Sequence, residues 1–388
     1  MTADRVVVVG AGIAGACVAD HLARGTDATV TVIERGRRTA TETTAKSGAF
    51  VGFWGHESPA CVPLLRYGIR YYRRLLSPAN PPARYVHGGR LRLATTDAGD
   101  EALRADFEAS FDRPVDGGTA TGEKGAPVQY LDGDALAETL VLPGLATGDV
   151  TGALYSPGVG YVDDPVSLAR DLLDRAMGAG ATVETGTAVT DVLTADGAVA
   201  GVRASGERVA ADHVVAAAGP WNRHLLASVD ITLPVRYTRG PMLVLGGNGH
   251  GLPALFHEES GVYTRQNADG TLFVGRLPGQ YEYAEVLDPD GVPNEVPDSL
   301  RDTCLTELRR LRPNVGDARV EREWMGVRSH TPDGDPIIGP TGVDGLSVVA
   351  FNANGIQYAP AAGRILSARV DGTDPNLPTS GVAFDRFE

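Results

Sequence analysis

The sequence predicts an α/β protein of two domains, between which the chain passes more than once. Residues 5–34 have the order strand, glycine turn, helix, strand, which is typical of a parallel sheet. Residues 183–320 have mainly the pattern of short strands separated by turns, with one helix near 299–312. The last part of the chain returns to a Gly- and Pro-punctuated strand and a helix near 359–370.

Length and composition agree with this fold class. The chain has 388 residues, 43% hydrophobic and 22% charged, so it exceeds the usual size of one core and can enclose a large cofactor. No apolar run approaches the roughly 18 residues that would span a bilayer. The first strand is short and lacks a signal-peptide pattern. We therefore expect a cytoplasmic protein without a membrane span.

Charge and cysteine content exclude two classes of function. The formal net charge is −14, whereas nucleic-acid binding requires a basic patch, so no nucleic-acid partner is expected. Cys17, Cys61 and Cys304 are odd in number, far apart and without metal-ligand spacing. We expect neither a disulfide framework nor a metal site.

The elements follow in chain order. The first unit consists of a strand at 5–9, a helix at 13–24 and a strand at 29–33. A helix at about 59–76 is indicated by its apolar spacing and ends at a Pro-rich stretch. Strands near 85–95 and a helix near 98–112 come next, and the Gly-rich segment 116–126 is predicted to be a surface loop.

A helix is predicted over about 162–180, because its apolar residues have helical spacing. Asp163 and Asp164 are placed to cap its start, and Pro165 suits the first turn. Strands at 183–192 and 201–209 follow, and the strand at 213–218 is apolar throughout, which is typical of a buried parallel strand.

One motif lies between the first strand and the first helix. It consists of Gly10, Ala11, Gly12, Ile13, Ala14 and Gly15, and it matches G-x-G-x-x-G in the context that binds a dinucleotide. Gly10 permits the tight turn, Gly12 the approach of a pyrophosphate, and Gly15 close packing of helix on strand. The helix N-terminus offers N–H groups and positive charge to phosphates.

Glu34 ends the second strand, where a carboxylate can accept hydrogen bonds from ribose hydroxyls and would repel a 2′-phosphate. The alternative is that the glycines only punctuate a turn and that Glu34 is a solvated charge. The motif by itself does not separate NAD from FAD.

Further stretches, in order along the chain, resemble the FAD-dependent D-amino-acid oxidase superfamily, which includes glycine oxidase and sarcosine oxidase. These stretches are Glu34-Arg35, Thr43 to Gly48, Val214 to Trp221, Arg239 to Met242, Trp324 to Arg328, Thr331 to Gly339, and Asn354 to Ile356. The resemblance implies a Rossmann-type FAD-binding domain interwoven with a mainly antiparallel-sheet substrate domain. The FAD-binding domain would comprise residues 1–80, 145–225 and 322–388, and the substrate domain residues 81–144 and 226–321.

The same resemblance implies where FAD is held. Arg35 would lie beside Glu34, the backbone of Val189 would meet the adenine, and Gly219 and Trp221 would lie near the cofactor. The other implied contacts are Thr43, Thr44, Lys46, Ser47 and Gly48 at the pyrophosphate and flavin, and Asn354, Gly355, Ile356 and Gln357 at the pyrimidine edge. A helix N-terminus is suited to the negative charge of a reduced flavin. The alternative for Trp221 is a core aromatic residue.

In such a site the flavin accepts a hydride at N5, and the protein chiefly positions the substrate. Arg328 stands where the resemblance places the arginine that binds the substrate carboxylate, with a surface or interdomain ion pair as the alternative. Tyr263 and Arg265, on a predicted strand, are candidates to orient the amine or side chain, or they are strand residues that face solvent. His330 and His56 are weaker candidates, since lone histidines are usually structural.

The sequence departs from the family in two informative places. Sarcosine oxidases attach FAD through a cysteine near the stretch that matches residues 323–326, and none occurs there, so noncovalent FAD is expected. They also carry a lysine that promotes reaction with oxygen, at a place occupied here by Phe273. Either oxygen or an electron carrier therefore remains possible as the acceptor.

The leading hypothesis is oxidation of the amine of a small amino acid, which includes D-amino acids, glycine and N-methylated glycine. One alternative is a 2-hydroxy acid dehydrogenase, since Arg328 would hold that carboxylate equally well. The other is an FAD-binding accessory subunit that carries out no turnover.

Overall fold

The computed structural model describes residues 4–53, 57–76, 83–111, 128–140, 142, 144–247, 253–267, 269–277 and 288–387. His56 and the predicted loop 116–126 lie outside these ranges. The helices are α1 (Ile13–Gly25), α2 (Cys61–Leu75), α3 (Asp97–Phe111), α4 (Gly133–Thr139), α5 (Pro165–Gly178), α6 (Asn222–Ala227), α7 (Asp298–Leu311) and α8 (Gly355–Asp371).

The strands form four sheets. They are β1 (Arg5–Val9), β2 (Thr29–Glu34), β3 (Phe50–Val51), β4 (Tyr85–Val86), β5 (Arg90–Ala94), β6 (Gln129–Asp132), β7 (Gly152–Ser156), β8 (Gly160–Val162), β9 (Thr182–Thr185), β10 (Val189–Ala195), β11 (Ala198–Ala204), β12 (Glu207–Ala210), β13 (His213–Ala216), β14 (Arg236–Leu245), β15 (Ala254–His257), β16 (Val262–Gln266), β17 (Leu272–Arg276), β18 (Val320–His330), β19 (Ile337–Pro340) and β20 (Leu346–Ala350). The predicted α/β class is confirmed.

The first sheet has the order β19-β20-β13-β1-β2-β9, and every pair except β19·β20 is parallel. Alternate residues of β1 enter two different cores. Val6 and Val8 pack with α1, α5 and α8, whereas Val7 and Val9 pack with α6 and the antiparallel meander β10–β12. Burial on both faces explains the continuous apolar run that the sequence shows.

The second large sheet has the order β18-β14-β17-β16-β15-β5-β7-β6 and is antiparallel except for the pair β5·β15. Leu243 and Leu245 of β14 pack against α7, whereas Met242 and Val244 face the opposite side. Strands β7 and β18 belong to this sheet, although the predicted ranges assign Gly152–Ser156 and most of Val320–His330 to the FAD-binding domain. The ranges themselves remain a prediction.

Helices α5 and α8 each contain a proline that the structure accommodates in a different way. Asp164 caps α5 by accepting a hydrogen bond from the Ser167 N–H (3.0 Å), and Pro165 occupies the first turn. Helix α8 begins at Gly355, about one turn before the predicted start, and continues through Pro360. A proline lacks the N–H that would bond the carbonyl four residues earlier. The Tyr72 hydroxyl donates to that carbonyl, on Ile356, at 2.6 Å instead.

Among the helices that the structure describes, none combines the length and the apolar character needed to cross a bilayer.

Candidate functional site

A cavity of about 840 Å³ is lined by both large sheets, a volume within the usual range for cofactor sites. Of the residues predicted to bind cofactor or substrate, those that line it are Gly10, Gly12, Ile13, Ala14, Glu34, Arg35, Thr43, Thr44, Lys46, Ser47, Gly48, Val189, Gly219, Trp221, Tyr263, Arg328, Asn354, Gly355, Ile356 and Gln357. Ala11, Gly15 and Arg265 are not part of the lining.

The glycine turn joins β1 to α1 at the edge of the cavity. Gly10 has φ +102°, and its N–H donates to the carbonyl of Ile33 at 2.8 Å. A Cβ at Gly10 would lie 2.7 Å from the carbonyl oxygen of Ala217, and one at Gly15 would overlap the carbonyl oxygen of Gly10. Gly15 therefore acts by letting α1 lie against the turn rather than by lining the cavity.

Helix α1 points its N-terminus into the cavity. Its first turn contains no acidic residue, and Gly12 at its start offers no capping side chain. The Ile13 N–H donates to the buried hydroxyl of Thr44 at 3.0 Å. The positive end of α1 and this hydroxyl are groups suited to a pyrophosphate.

Glu34 is held by two backbone donors. Its Oε2 accepts a hydrogen bond from the Ala11 N–H at 2.8 Å, and its Oε1 accepts one from the Gly36 N–H at 2.7 Å. The carboxylate lines the cavity in a fixed orientation, and each oxygen keeps acceptor capacity for a ribose hydroxyl.

For the FAD that the resemblance implies, we expect Glu34→Gln to raise the Kd about 10- to 150-fold, because an amide would point its NH₂ at one of the two backbone donors. Titration of the apoprotein with FAD, followed by flavin fluorescence, measures this. Glu184→Gln is the control, since Glu184 lies exposed on β9 of the same sheet and outside the cavity lining. Equal affinity of Glu34→Gln and wild type would contradict the role of the carboxylate.

Arg35, Trp221 and Asp290 form one contact at the cavity wall. The Arg35 guanidinium lies 3.8 Å from the Trp221 ring centroid, and Asp290 Oδ1 accepts hydrogen bonds from Trp221 Nε1 (2.7 Å) and Arg35 Nη1 (3.2 Å). All three residues line the cavity. Trp221 is therefore only partly buried and is not a core aromatic residue.

A second helix N-terminus enters the same cavity. Helix α8 starts at Gly355 after β20, with Asn354 at its N-cap making no capping hydrogen bond. The Oδ1 of Asn354 is buried, and no partner for it occurs in the described part of the chain. Gln357 is 1% exposed, and its Oε1 accepts a hydrogen bond from the Gly52 N–H at 3.4 Å. A buried acceptor without a partner indicates a missing donor, which a flavin ring can supply.

Arg328 reaches the cavity from β18. It is 8% exposed, and its Nη2 donates to the Arg276 carbonyl (2.7 Å) and the Tyr263 hydroxyl (3.4 Å). In the described part of the chain its buried Nη1 has no acceptor, and no carboxylate forms an ion pair with Arg328. Gly240 on β14 leaves room for the guanidinium, since a Cβ there would overlap it. The guanidinium of Arg328 is thus placed to bind an anion in the cavity.

Unlike Arg328, Arg265 does not line the cavity. Its Nε donates to the Gly48 carbonyl at 2.6 Å, and its guanidinium lies 4.7 Å from the Tyr161 ring and 4.9 Å from the Phe273 ring. Burial lowers the pKa of Arg265 to about 10. Both Arg265 and Tyr263 are buried rather than exposed to solvent. The geometry favours a role for Arg265 in holding the turn at residues 43–48 over contact with substrate.

A model of the DAO family, described as FAD dependent oxidoreductase, matches residues 5–369. The chain belongs to this family. FAD is therefore its cofactor, and the cavity residues fit it: two helix N-termini, an orphaned buried acceptor at Asn354 and a fixed carboxylate at Glu34. All three cysteines are buried, and none lines the cavity.

Two curated relatives are a glycine oxidase and a D-amino acid dehydrogenase. The chain is 29% identical to a glycine oxidase of Pseudomonas aeruginosa over 98% of both chains. It is 26% identical to a D-amino acid dehydrogenase of Cereibacter sphaeroides, covering 99% of this chain and 95% of that one. The crystal structure of glycine oxidase from Geobacillus kaustophilus matches with a TM-score of 0.81 at 25% identity, over 98% of both chains.

His330 also lines this DAO-family cavity, with Nε2 2.8 Å from the Thr238 hydroxyl. Burial and the neighbouring Arg328 lower the pKa of His330 to about 4. The ring is therefore neutral at physiological pH and adds no charge beside the guanidinium.

This pKa predicts a pH dependence of stability. The unfolded chain binds more protons at His330 than the folded chain between pH about 4 and about 6.5, so stability falls as pH decreases through that window. We expect His330→Gln, which can still bond Thr238, to lose less Tm than wild type between pH about 7 and about 5. Thermal melts at the two pH values test this, and an equal loss would contradict it. The pKa values of His21, His87 and His257 are also lowered, so the comparison must be between variant and wild type.

Several lining residues were not predicted from the sequence. Examples are Met242 on β14, Phe256 on β15 and Asp290, which lies in a short 3-10 turn at Pro289–Gly291. Met242 lies in one of the stretches that resemble the family, which was the available signal for it. Nothing local distinguishes Asp290 or Phe256 from other loop and strand residues.

Proposed function

We propose that this chain oxidises the amine of a small amino acid or N-methylated amino acid to an imine, which water then hydrolyses. The observation that carries this proposal is Arg328, whose buried Nη1 has no acceptor among the described residues and which lines the same cavity as the glycine turn. A buried cation without a counterion is costly, and a substrate carboxylate would relieve that cost.

The chain's own residues position the substrate. Arg328 Nη1 would donate a hydrogen bond to the substrate carboxylate, while the Arg276 carbonyl and the Tyr263 hydroxyl keep the guanidinium in place. FAD, when bound, supplies the two-electron acceptor for the hydride from the substrate carbon. The amine nitrogen releases a proton as the C=N bond forms. His330 stays neutral above pH about 5, so it does not compete for the carboxylate.

The residue roles belong to the same proposal. The glycine turn, residues 43–48 and the starts of α1 and α8 would hold FAD noncovalently, with Val189 at the adenine. Arg328 and Tyr263 would contact substrate, and Arg265 would act through Gly48. Oxygen or an electron carrier would receive the electrons.

A cytoplasmic location is supported by three free, buried cysteines, since oxidising compartments favour disulfides.

Anaerobic reduction tests the proposal. FAD-loaded protein is mixed with glycine, sarcosine, and D- and L-amino acids, and the visible absorbance of the flavin is followed. We expect bleaching by at least one amine. Bleaching by 2-hydroxy acids only would contradict amine oxidation and select hydroxy acid dehydrogenation. Admission of air then separates oxidase from dehydrogenase by the rate at which the colour returns.

A further inference from the structure

One wall of the cavity is apolar and begins at Arg328. We define the apolar wall as the cavity-lining residues Phe50, Met242, Phe256, Tyr263 and Leu277. Tyr263 connects it to the guanidinium, because its hydroxyl lies 3.4 Å from Arg328 Nη2 and 3.4 Å from Met242 Sδ. The apolar wall therefore begins at Tyr263, the side chain next to the proposed carboxylate site.

The aromatic members form a continuous surface. The Tyr263 and Phe256 rings are stacked with centroids 5.1 Å apart, and Phe50 lies 5.2 Å from Phe256 and 5.9 Å from Tyr263. Met242, Phe256 and Tyr263 are 4%, 7% and 5% exposed, so neighbouring residues cover most of each side chain. No member of the apolar wall is charged.

Leu277 continues the apolar wall and is 48% exposed. Only one other large hydrophobic side chain in the described ranges is comparably exposed, Met177 at 44%, and it lies on α5 away from the cavity lining. Leu277 follows Arg276, whose carbonyl accepts the hydrogen bond from Arg328. An exposed leucine beside the anion site indicates apolar ligand surface to cover it.

The pyrophosphate-binding elements belong to the other sheet. The glycine turn and the N-termini of α1 and α8 follow strands β1 and β20 of the parallel sheet, whereas Met242, Phe256 and Tyr263 lie on strands of the antiparallel sheet. The glycine turn and the helix starts thus come from one sheet, whereas three of the five members of the apolar wall come from the other and Phe50 comes from β3.

We infer that the substrate carries an apolar or aromatic side chain, which packs on the apolar wall while its carboxylate binds Arg328. This inference rests on the proposed function and specifies its substrate class. Glycine or sarcosine would satisfy the guanidinium but would leave the exposed side chain of Leu277 in contact with water, which disfavours their binding relative to a larger apolar amino acid.

Ligand titration of the FAD-loaded protein tests this without turnover. Acetate and phenylacetate share the carboxylate and differ in the ring, and each is titrated while the visible spectrum of the flavin is recorded. We expect phenylacetate to bind at least about tenfold more tightly, because its ring is removed from water. Affinities of acetate and phenylacetate within about threefold of each other would overturn the inference. That result is expected if the flavin, rather than a substrate side chain, covers the apolar wall.

Two variants locate the effect. Leu277→Ser is expected to weaken phenylacetate binding about fivefold and to leave acetate binding unchanged, since it removes apolar contact only. Met177→Ser, at the other exposed large hydrophobic residue, is the matched control and should change neither affinity. Phe256→Ala should weaken phenylacetate binding about tenfold or more. Unchanged phenylacetate affinity in both Leu277→Ser and Phe256→Ala would overturn the inference.

Turnover separates this inference from the proposed function. If apolar amino acids reduce the flavin with a higher kcat/KM than glycine does, both the proposed function and the apolar subsite are supported. If glycine or sarcosine is preferred and Arg328→Leu abolishes their binding, the proposed function stands and the apolar subsite is refuted. If no amine bleaches the flavin and no carboxylate perturbs its spectrum, both are refuted.

Discussion

Arg328→Leu should lower kcat/KM for the amino acid substrate about 30- to 1000-fold while leaving FAD bound. Removing one partner of a buried charged hydrogen-bonded pair typically costs about 2–4 kcal/mol of binding free energy. The guanidinium is anchored by Arg276 and Tyr263, so leucine cannot reproduce its placement or its charge. Steady-state kinetics and the Kd of a carboxylate ligand measure the loss.

The matched control for this prediction is Arg312→Leu. Arg312 is also buried, at 2% exposed, and its Nε and Nη2 have no partner in the described part of the chain, but it lies outside the cavity lining. Its replacement should leave KM and the ligand Kd unchanged. Arg328→Lys should recover part of the binding, because an ammonium retains charge but not two parallel donors. Wild-type affinity in Arg328→Leu would show that the carboxylate binds elsewhere.

Gly15→Ala should destabilise the fold by about 3 kcal/mol or more and prevent retention of FAD. The added Cβ would overlap the carbonyl oxygen of Gly10, a backbone atom that cannot rotate away. Relief requires α1 to move off the turn, and this movement displaces the helix N-terminus from the cavity. Thermal unfolding and the flavin content of the purified protein measure the two effects.

Gly178→Ala provides the control at a helical glycine that has space for a side chain. Gly178 is the last residue of α5, and a Cβ there would meet no atom within 4 Å. We expect a small increase in stability, about 0.5–1 kcal/mol, because alanine reduces the backbone entropy lost on folding. A Gly15→Ala protein that has the wild-type Tm and retains FAD would show that the site tolerates a larger distance between α1 and the turn at Gly10.

The nucleotide-binding end of the site could be predicted because its information is local. The glycine turn, α1 and Glu34 lie within thirty residues of one another, and each has a stereochemical requirement that only certain residues meet. Gly10 has a positive φ, and Gly15 has no space for a side chain. The cap and proline that start α5 are local in the same sense.

The substrate end could not be predicted to the same degree. Tyr263 and Arg265 are two residues apart on β16 and so project to one face of the sheet. Tyr263 lines the cavity, yet Arg265 lies beneath the turn at Gly48 and bonds its carbonyl. Which of two equivalent strand positions meets the cavity depends on where a distant loop crosses the strand, and strand periodicity does not contain that information.

By itself the sequence determined the α/β class and the dinucleotide turn, since short-range geometry and residue chemistry suffice for these. The expectation that Arg328 binds a carboxylate came instead from the resemblance to the family. Only the tertiary structure decided that one Arg328 nitrogen has no partner among the described residues, that Asp290 contacts Arg35 and Trp221, and that Leu277 and Phe256 line one cavity. These facts depend on contacts between residues far apart in the chain. Such contacts exist only after the two sheets pack around a common cavity.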